Sequence, residues 1–343
     1  MADLMNPILV EVLRGGAVES EHRGAIAIVD ADGRLRAGLG NIDRPIFPRS
    51  AVKLLQALPL VESGAADALG LDDAELALAC ASHRGEPAHA QTAAAMLAKA
   101  GLDASALECG AHWPYSEAAA RELAAQGRSP SALHNNCSGK HAGFVCLGCH
   151  LAGGRERARE FLHGYVQPGH AVMREVTAAL QATTGHDLAD TARGIDGCSI
   201  PTYAIPLRAL ALAFARVGSG VGLSAGHANA ARRLRKAVAA APFMVSGSGR
   251  FDTLVMQRLA ERVACKVGAE GVYCAARPDS GLGVAIKIDD GTTARAAEVA
   301  MAAAIEALVR LDDGEAAFMR GLSEPVLSNW NGIEVGGLRA GLR

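Results

Sequence analysis

Residues 24–40, GAIAIVDADGRLRAGLG, hold two β-prone runs, Gly24 to Asp30 and Leu35 to Gly40, on either side of Asp32-Gly33. Both turn residues tolerate positive φ, so the stretch predicts an antiparallel hairpin near the start of the chain. The pattern returns toward the other end. Gly271 to Ala276 and Gly283 to Ile288 are β-prone, with Pro278-Asp279-Ser280-Gly281 as one turn and Asp289-Asp290-Gly291 as the next. Between them the periodicity is helical: Ser50 to Ser63, Asp73 to Ala81, Pro87 to Ala100, Ser116 to Ala125, Ala142 to Leu151, Gly169 to Thr183, Ile205 to Val217 and Ala228 to Ala240. Phe251 to Val263 and Thr293 to Leu311 also read as helices. Strands at both ends around a helical middle predict an α+β fold whose terminal strands share one antiparallel sheet flanked by helices. No internal repeat, low-complexity tract or linker divides the sequence. One domain over 1–343 is expected, with its α/β part drawn from both termini and its helical part spanning roughly 50–265.

The 343 residues are 50% apolar, enough to fill a real core. Lys+Arg number 34 against 36 Asp+Glu, a net charge of −2 with neither sign in a block, so a nucleic-acid or acidic-lipid partner is not expected. Small neutral or zwitterionic ligands suit this balance better. Aromatics are 4% and glycines number 39, which points to helices packed closely on small side chains. Eight cysteines lie scattered through apolar runs without the spacing of a disulfide framework. Met1 to Ser20 shows no positive region followed by a long apolar one, and no uninterrupted apolar run is long enough to span a bilayer. A cytoplasmic protein with reduced thiols is expected, with no membrane partner.

Chemistry-bearing residues fall into separate stretches. Ser50 and Lys53 follow Pro45 and Pro48, which hold the preceding chain extended and set Ser50 at a helix start. Residues i and i+3 share a helix face, so a partly desolvated Lys53 amine would be able to accept the Ser50 proton; the alternative is a capping serine and a snorkelling lysine. Ser82 and His83 follow a buried helix and precede one begun by Pro87. His83, Glu86 and His89 match neither H-E-x-x-H nor H-x-x-E-H, so capping is the better reading there. His134 to Gly143 (HNNCSGKHAG) packs the densest set of reactive side chains, at a turn leading into a helix near Ala142. It lacks the first glycine of a phosphate loop and has His141 where Ser or Thr belongs. Gly194 to Pro201 presents Asp196 and Cys198, and with Cys137 the latter would give two soft ligands to a zinc. Cys146-Leu147-Gly148-Cys149-His150 matches a haem-attachment string, but in an apolar helix its cysteines read as core packing.

In this order, Pro48-Arg49-Ser50-Ala51-Val52-Lys53, Ala81-Ser82-His83, Asn136-Cys137-Ser138-Gly139-Lys140-His141, Asp196-Gly197-Cys198 and Lys266-Val267-Gly268-Ala269-Glu270-Gly271 resemble the bacterial L-asparaginase II family. The likeness runs from about Val10, through Arg14-Gly15-Gly16 and Glu19 to Arg23, to the strands before Gly291. The resemblance implies a serine β-lactamase-like and glutaminase-like fold and an L-asparagine amidohydrolase releasing ammonia and L-aspartate. It implies Ser50 as nucleophile paired with Lys53, and Ser82 paired with Lys266. It also implies a zinc held by Cys137, Lys140 and Cys198, and a homodimer. Arg49, His83, His141 and Asp196 are candidates to hold the α-groups of the substrate or to tune the metal. Two positions depart from the pattern: Asp252 stands where zinc-bearing members are expected to have cysteine, and Cys265 adds a thiol beside Lys266. Glutamine or a related amide, a β-lactam, and non-catalytic amino-acid binding are the rival readings.

Overall fold

The computed structural model describes residues 5–341. Residues 1–4, part of the Met1–Ser20 stretch, and residues 342–343 lie outside the described residues. The chain divides into two compact units, one formed by residues 1–51, 204–219 and 265–343, the other by residues 52–203 and 220–264.

In the first unit the expected α+β arrangement is present, with strands from both ends of the chain in one sheet. Strands β1 (Ile8–Arg14), β2 (Ala17–Asp30), β3 (Leu35–Leu39), β4 (Ala264–Val267), β5 (Val272–Arg277), β6 (Leu282–Ile288), β7 (Val326–Ser328) and β8 (Glu334–Ala340) join it. Their order is β7-β8-β1-β2-β6-β5-β4, with β3 also on β2. The registered pairs are antiparallel. The hairpin read from residues 24–40 is β2–β3; the Asp30 carboxylate closes its turn by accepting the Asp32 and Arg34 amides. Strand β2 is longer than that run, because its first half pairs with β1 and its second with β6.

Alternation along the strands sorts the covering helices. Gly283 of β6 sits opposite Val29 of β2. A side chain at Gly283 would run into the Ala211 carbonyl and the Ala215 amide, so helix Leu207–Ser219 lies directly on that face. Ile26 and Ile28 point to the other face, where they line a cavity of about 390 Å³ with Ala303 and Ala304 of helix Glu298–Leu308. Both faces are therefore covered, which explains why residues 24–30 read as a continuous apolar run.

In the second unit the central element is helix Ser138–Leu151, buried from Ser138 to Cys149. Its glycines admit neighbours at backbone distance. A side chain at Gly139 would strike the Leu78 carbonyl, and one at Gly148 the Leu162 side chain. Several sequence boundaries move. The helix expected from Ala142 starts at Ser138, which puts Lys140 and His141 on the helix rather than in the turn before it. The run from Ser50 to Ser63 breaks into a 3-10 turn, Arg49–Val52, and two short helices, Lys53–Gln56 and Leu58–Glu62. Pro59, with no N–H to offer, sits in the first turn of the last piece.

Candidate active site

Helix Asp73–Ala79 is opened by a capping box between Asp72 and Glu75, and Pro87 begins helix Pro87–Lys99. The loop between them carries Ser82 and His83. It is tied at both residues, the Ser82 amide to Val245 O at 2.9 Å and the His83 amide to Asn136 O at 3.2 Å. His83 is fully buried. Its Nδ1 accepts the Gly85 amide at 3.1 Å, so the proton sits on Nε2, 2.9 Å from Ser138 Oγ, which donates onward to Leu133 O. Burial, then the nearby His89 and Lys53, holds its pKa well below the ordinary histidine value. With both ring nitrogens engaged and the ring stacked on His89, His83 shapes the loop that presents Ser82. The buried Ser82 hydroxyl itself has no hydrogen-bond partner among the described residues. Glu86 is committed to Ser248, and His89 to Phe243, so the His83-Glu86-His89 string is structural.

Lys53 opens its short helix fully buried, and its amine donates to Ala81 O at 2.6 Å and to Cys137 Sγ at 3.1 Å. Cys137 is the residue before helix Ser138–Leu151, and Lys140, three residues on, reaches Cys198 Sγ at 3.0 Å. A hydrogen bond between the two sulfurs favours thiolate at Cys137, which the amines of Lys53 and Lys140 reinforce, and pushes the Cys198 thiol up. At Lys140, burial opposes the charged form, but Cys198 and Cys137 outweigh it and raise the pKa above the usual lysine value. Asp196 stands beside Cys198, 3.8 Å between Oδ2 and Sγ, in a tight loop where Ser199 adopts φ of 77°. Two cysteines 61 positions apart thus meet, with two buried lysines and one carboxylate around them.

Arg49, Ser50 and Lys266 belong to the first unit. Ser50 is partly exposed in its 3-10 turn, and Arg49 just before it has φ of 51°, a strained conformation for a residue with a side chain. Lys266 is buried on β4, where its amine donates to Val267 O at 2.9 Å. The loop that follows lies so close to the Ser50 turn that a side chain at Gly268 would meet Pro48 O.

The sequence model of the L-asparaginase II family matches residues 10–340. The chain belongs to the L-asparaginase II family. Membership makes it an asparaginase-type amidohydrolase, a hydrolase acting on a small molecule. Among solved structures it is similar to a β-lactamase from Mycobacterium bovis, at 15% identity and TM-score 0.38, covering 83% of this chain and 94% of that one. A comparison with curated proteins finds no match. Among the described residues no helix is long and apolar enough to cross a membrane.

The zinc implied by resemblance to the L-asparaginase II family would draw on Cys137, Lys140 and Cys198. Among the described residues no group of three or more His, Cys, Asp or Glu side chains is placed to hold a metal. The set in question instead has two sulfurs in mutual contact with an amine against one of them. Two soft sulfurs suit zinc, and the amine would have to be neutral to join them. Asp252, the departure from the expected cysteine, is buried and accepts the Ser246 hydroxyl at 2.7 Å. Cys146 and Cys149 donate to Met96 O and Ala100 O in the core, and burial pushes the Cys146 thiol up to about 12. Sequence reading missed Tyr165, whose hydroxyl meets His141 Nδ1 at 2.7 Å. Nothing in the run HGYVQPGH distinguishes that tyrosine; only its burial and its partner do.

Proposed function

We propose that this chain is an L-asparaginase, hydrolysing the side-chain amide of L-asparagine to L-aspartate and ammonia, in the cytoplasm and as a homodimer. Ser50 is the nucleophile and Lys53 takes its proton. Ser82 and Lys266 form the second pair that returns a proton to the departing ammonia, and water then hydrolyses the acyl-enzyme. The observation that carries this reading is Lys53: a fully buried amine three residues after Ser50, which donates to Ala81 O and Cys137 Sγ. The unpartnered Ser82 hydroxyl, next in sequence to the carbonyl that holds Lys53, supports the same reading. Arg49 and Asp196 are proposed for the α-groups of the substrate, and His83 for positioning the Ser82 loop.

Cys137, Lys140 and Cys198 are proposed as the zinc ligands. Bound there, zinc would supply Lewis-acid polarisation of an oxygen. Binding would displace the protons of Cys198 and Lys140, the two groups whose pKa values are raised, whereas Cys137 already favours thiolate. Retention is therefore expected to strengthen with rising pH, by about 100-fold in affinity per unit while both protons are displaced. Zinc content after dialysis against a chelator at pH 6 and pH 8 checks this; equal retention at both would count against the ligand set.

The function itself is tested by ammonia release from asparagine and glutamine, with nitrocefin hydrolysis measured alongside. Turnover of asparagine well above the others supports the reading. Folded protein that releases no ammonia from either amide overturns it.

A further inference from the structure

Resting on the asparaginase reading, we propose that Tyr165 is a positioning residue for substrate binding: its hydroxyl fixes the tautomer of His141, whose Nε2–H is the donor kept for an oxygen of the bound amino acid. The Glu108 backbone amide donates to the Tyr165 hydroxyl at 3.0 Å, while the Glu108 carboxylate accepts the Gly164 amide at 2.7 Å, so one residue clamps the turn that carries the tyrosine. With the oxygen of Tyr165 already accepting, its hydrogen is directed to His141 Nδ1, 2.7 Å away. His141 is fully buried. A neutral imidazole that accepts at Nδ1 carries its hydrogen on Nε2.

That nitrogen is buried and has no hydrogen-bond partner among the described residues. The ring has no freedom to find one, since Phe144 and Tyr165 pack edge-on against it, each with centroids at 5.6 Å. A rigid donor left unpaired inside a protein is costly unless a ligand satisfies it. His141 follows Lys140 on the same helix, and an amino-acid substrate brings carboxylate and amide oxygens that are acceptors. The donor therefore fits a carboxyl or amide oxygen of the amino-acid substrate.

Two measurements test the proposal. In protein labelled at histidine nitrogen, His141 is assigned by the loss of its signals in His141→Asn. In wild type its Nε2 is expected to be protonated and its Nδ1 bare, and L-aspartate is expected to shift the Nε2 resonance. The reverse tautomer, or no response to saturating L-aspartate, overturns the proposal, and this holds even if the enzyme proves inactive on asparagine. In Tyr165→Phe, with an unchanged circular-dichroism spectrum, the tautomers are expected to mix and KM for asparagine to rise at least about tenfold while kcat stays within about threefold. A KM equal to that of wild type in the folded variant overturns it. Absence of asparaginase activity in wild type is a separate result, which removes the asparaginase reading and leaves the L-aspartate titration to decide the role of Tyr165.

Discussion

Ser50→Ala is expected to lower kcat/KM for asparagine by at least about 1,000-fold, which is ~4 kcal/mol of transition-state stabilisation. The turn is built to present this residue. Pro48 O accepts the Ala51 amide at 3.0 Å, closing a 3-10 turn around Arg49 and Ser50, and the left-handed backbone of Arg49 sets the direction in which the next residue leaves. Strain of that kind costs on the order of 1–3 kcal/mol, and a fold retains it where the geometry is used. The alanine variant removes one oxygen from a partly exposed position, so its melting temperature should match wild type. Ammonia release is the assay, with the acylated enzyme sought by mass spectrometry in wild type. A variant within tenfold of wild type would leave Ser50 as a turn residue and transfer the nucleophile's role to another hydroxyl, Ser82 being the first to examine.

Lys53→Met is expected to remove at least about 100-fold of activity while the protein still folds. Methionine fills most of the same buried volume, and exchanging a buried amine for an apolar chain spares the cost of burying it. Ala81 O and Cys137 Sγ lose their donor, at about 1–3 kcal/mol of stability. Lys53→Arg should not restore activity, because guanidinium keeps its proton at any working pH. Thermal unfolding and steady-state rates, measured on the same preparations, separate the two effects. Wild-type rates in Lys53→Met would mean that the amine holds the Ala81 carbonyl and nothing more.

How far the sequence could be read depended on whether the decisive contact was local. The β2–β3 hairpin was legible because Asp32-Gly33 announces its turn, and the β5 and β6 runs because their turns are equally explicit. Strand β8 was not, since its Gly336 and Gly337 carry no β signal; Gly336 is there because a side chain would strike the Leu13 carbonyl of β1. The helix start at Ser138 was misplaced for a related reason. Ser-Gly-Lys-His resembles a loop by propensity, and what makes it helical is the close packing of Gly139 against Leu78. In the site, the three-residue spacing of Ser50 and Lys53 stands in the sequence, whereas the meeting of Cys137 with Cys198 is tertiary. Tyr165 was illegible altogether, because its significance lies in one hydrogen bond to a residue on another segment.

The sheet of the first unit has a temporal cost. Strand β1 pairs with β8, and Arg339 bonds Glu11 across 328 positions of chain. The ends of so long a loop meet late, because closure entropy comes before any reward from the contact. During synthesis β1 and β2 are made before residues 52–203 and 220–264 of the second unit, and β1 keeps a bare edge until β8 follows them. Pulse-labelled hydrogen exchange during refolding should therefore protect amides of helix Ser138–Leu151 before those of β1 and β8; simultaneous protection would refute that order. An interrupted chain would be left with an open strand edge, the kind of surface that recruits chaperones or aggregates.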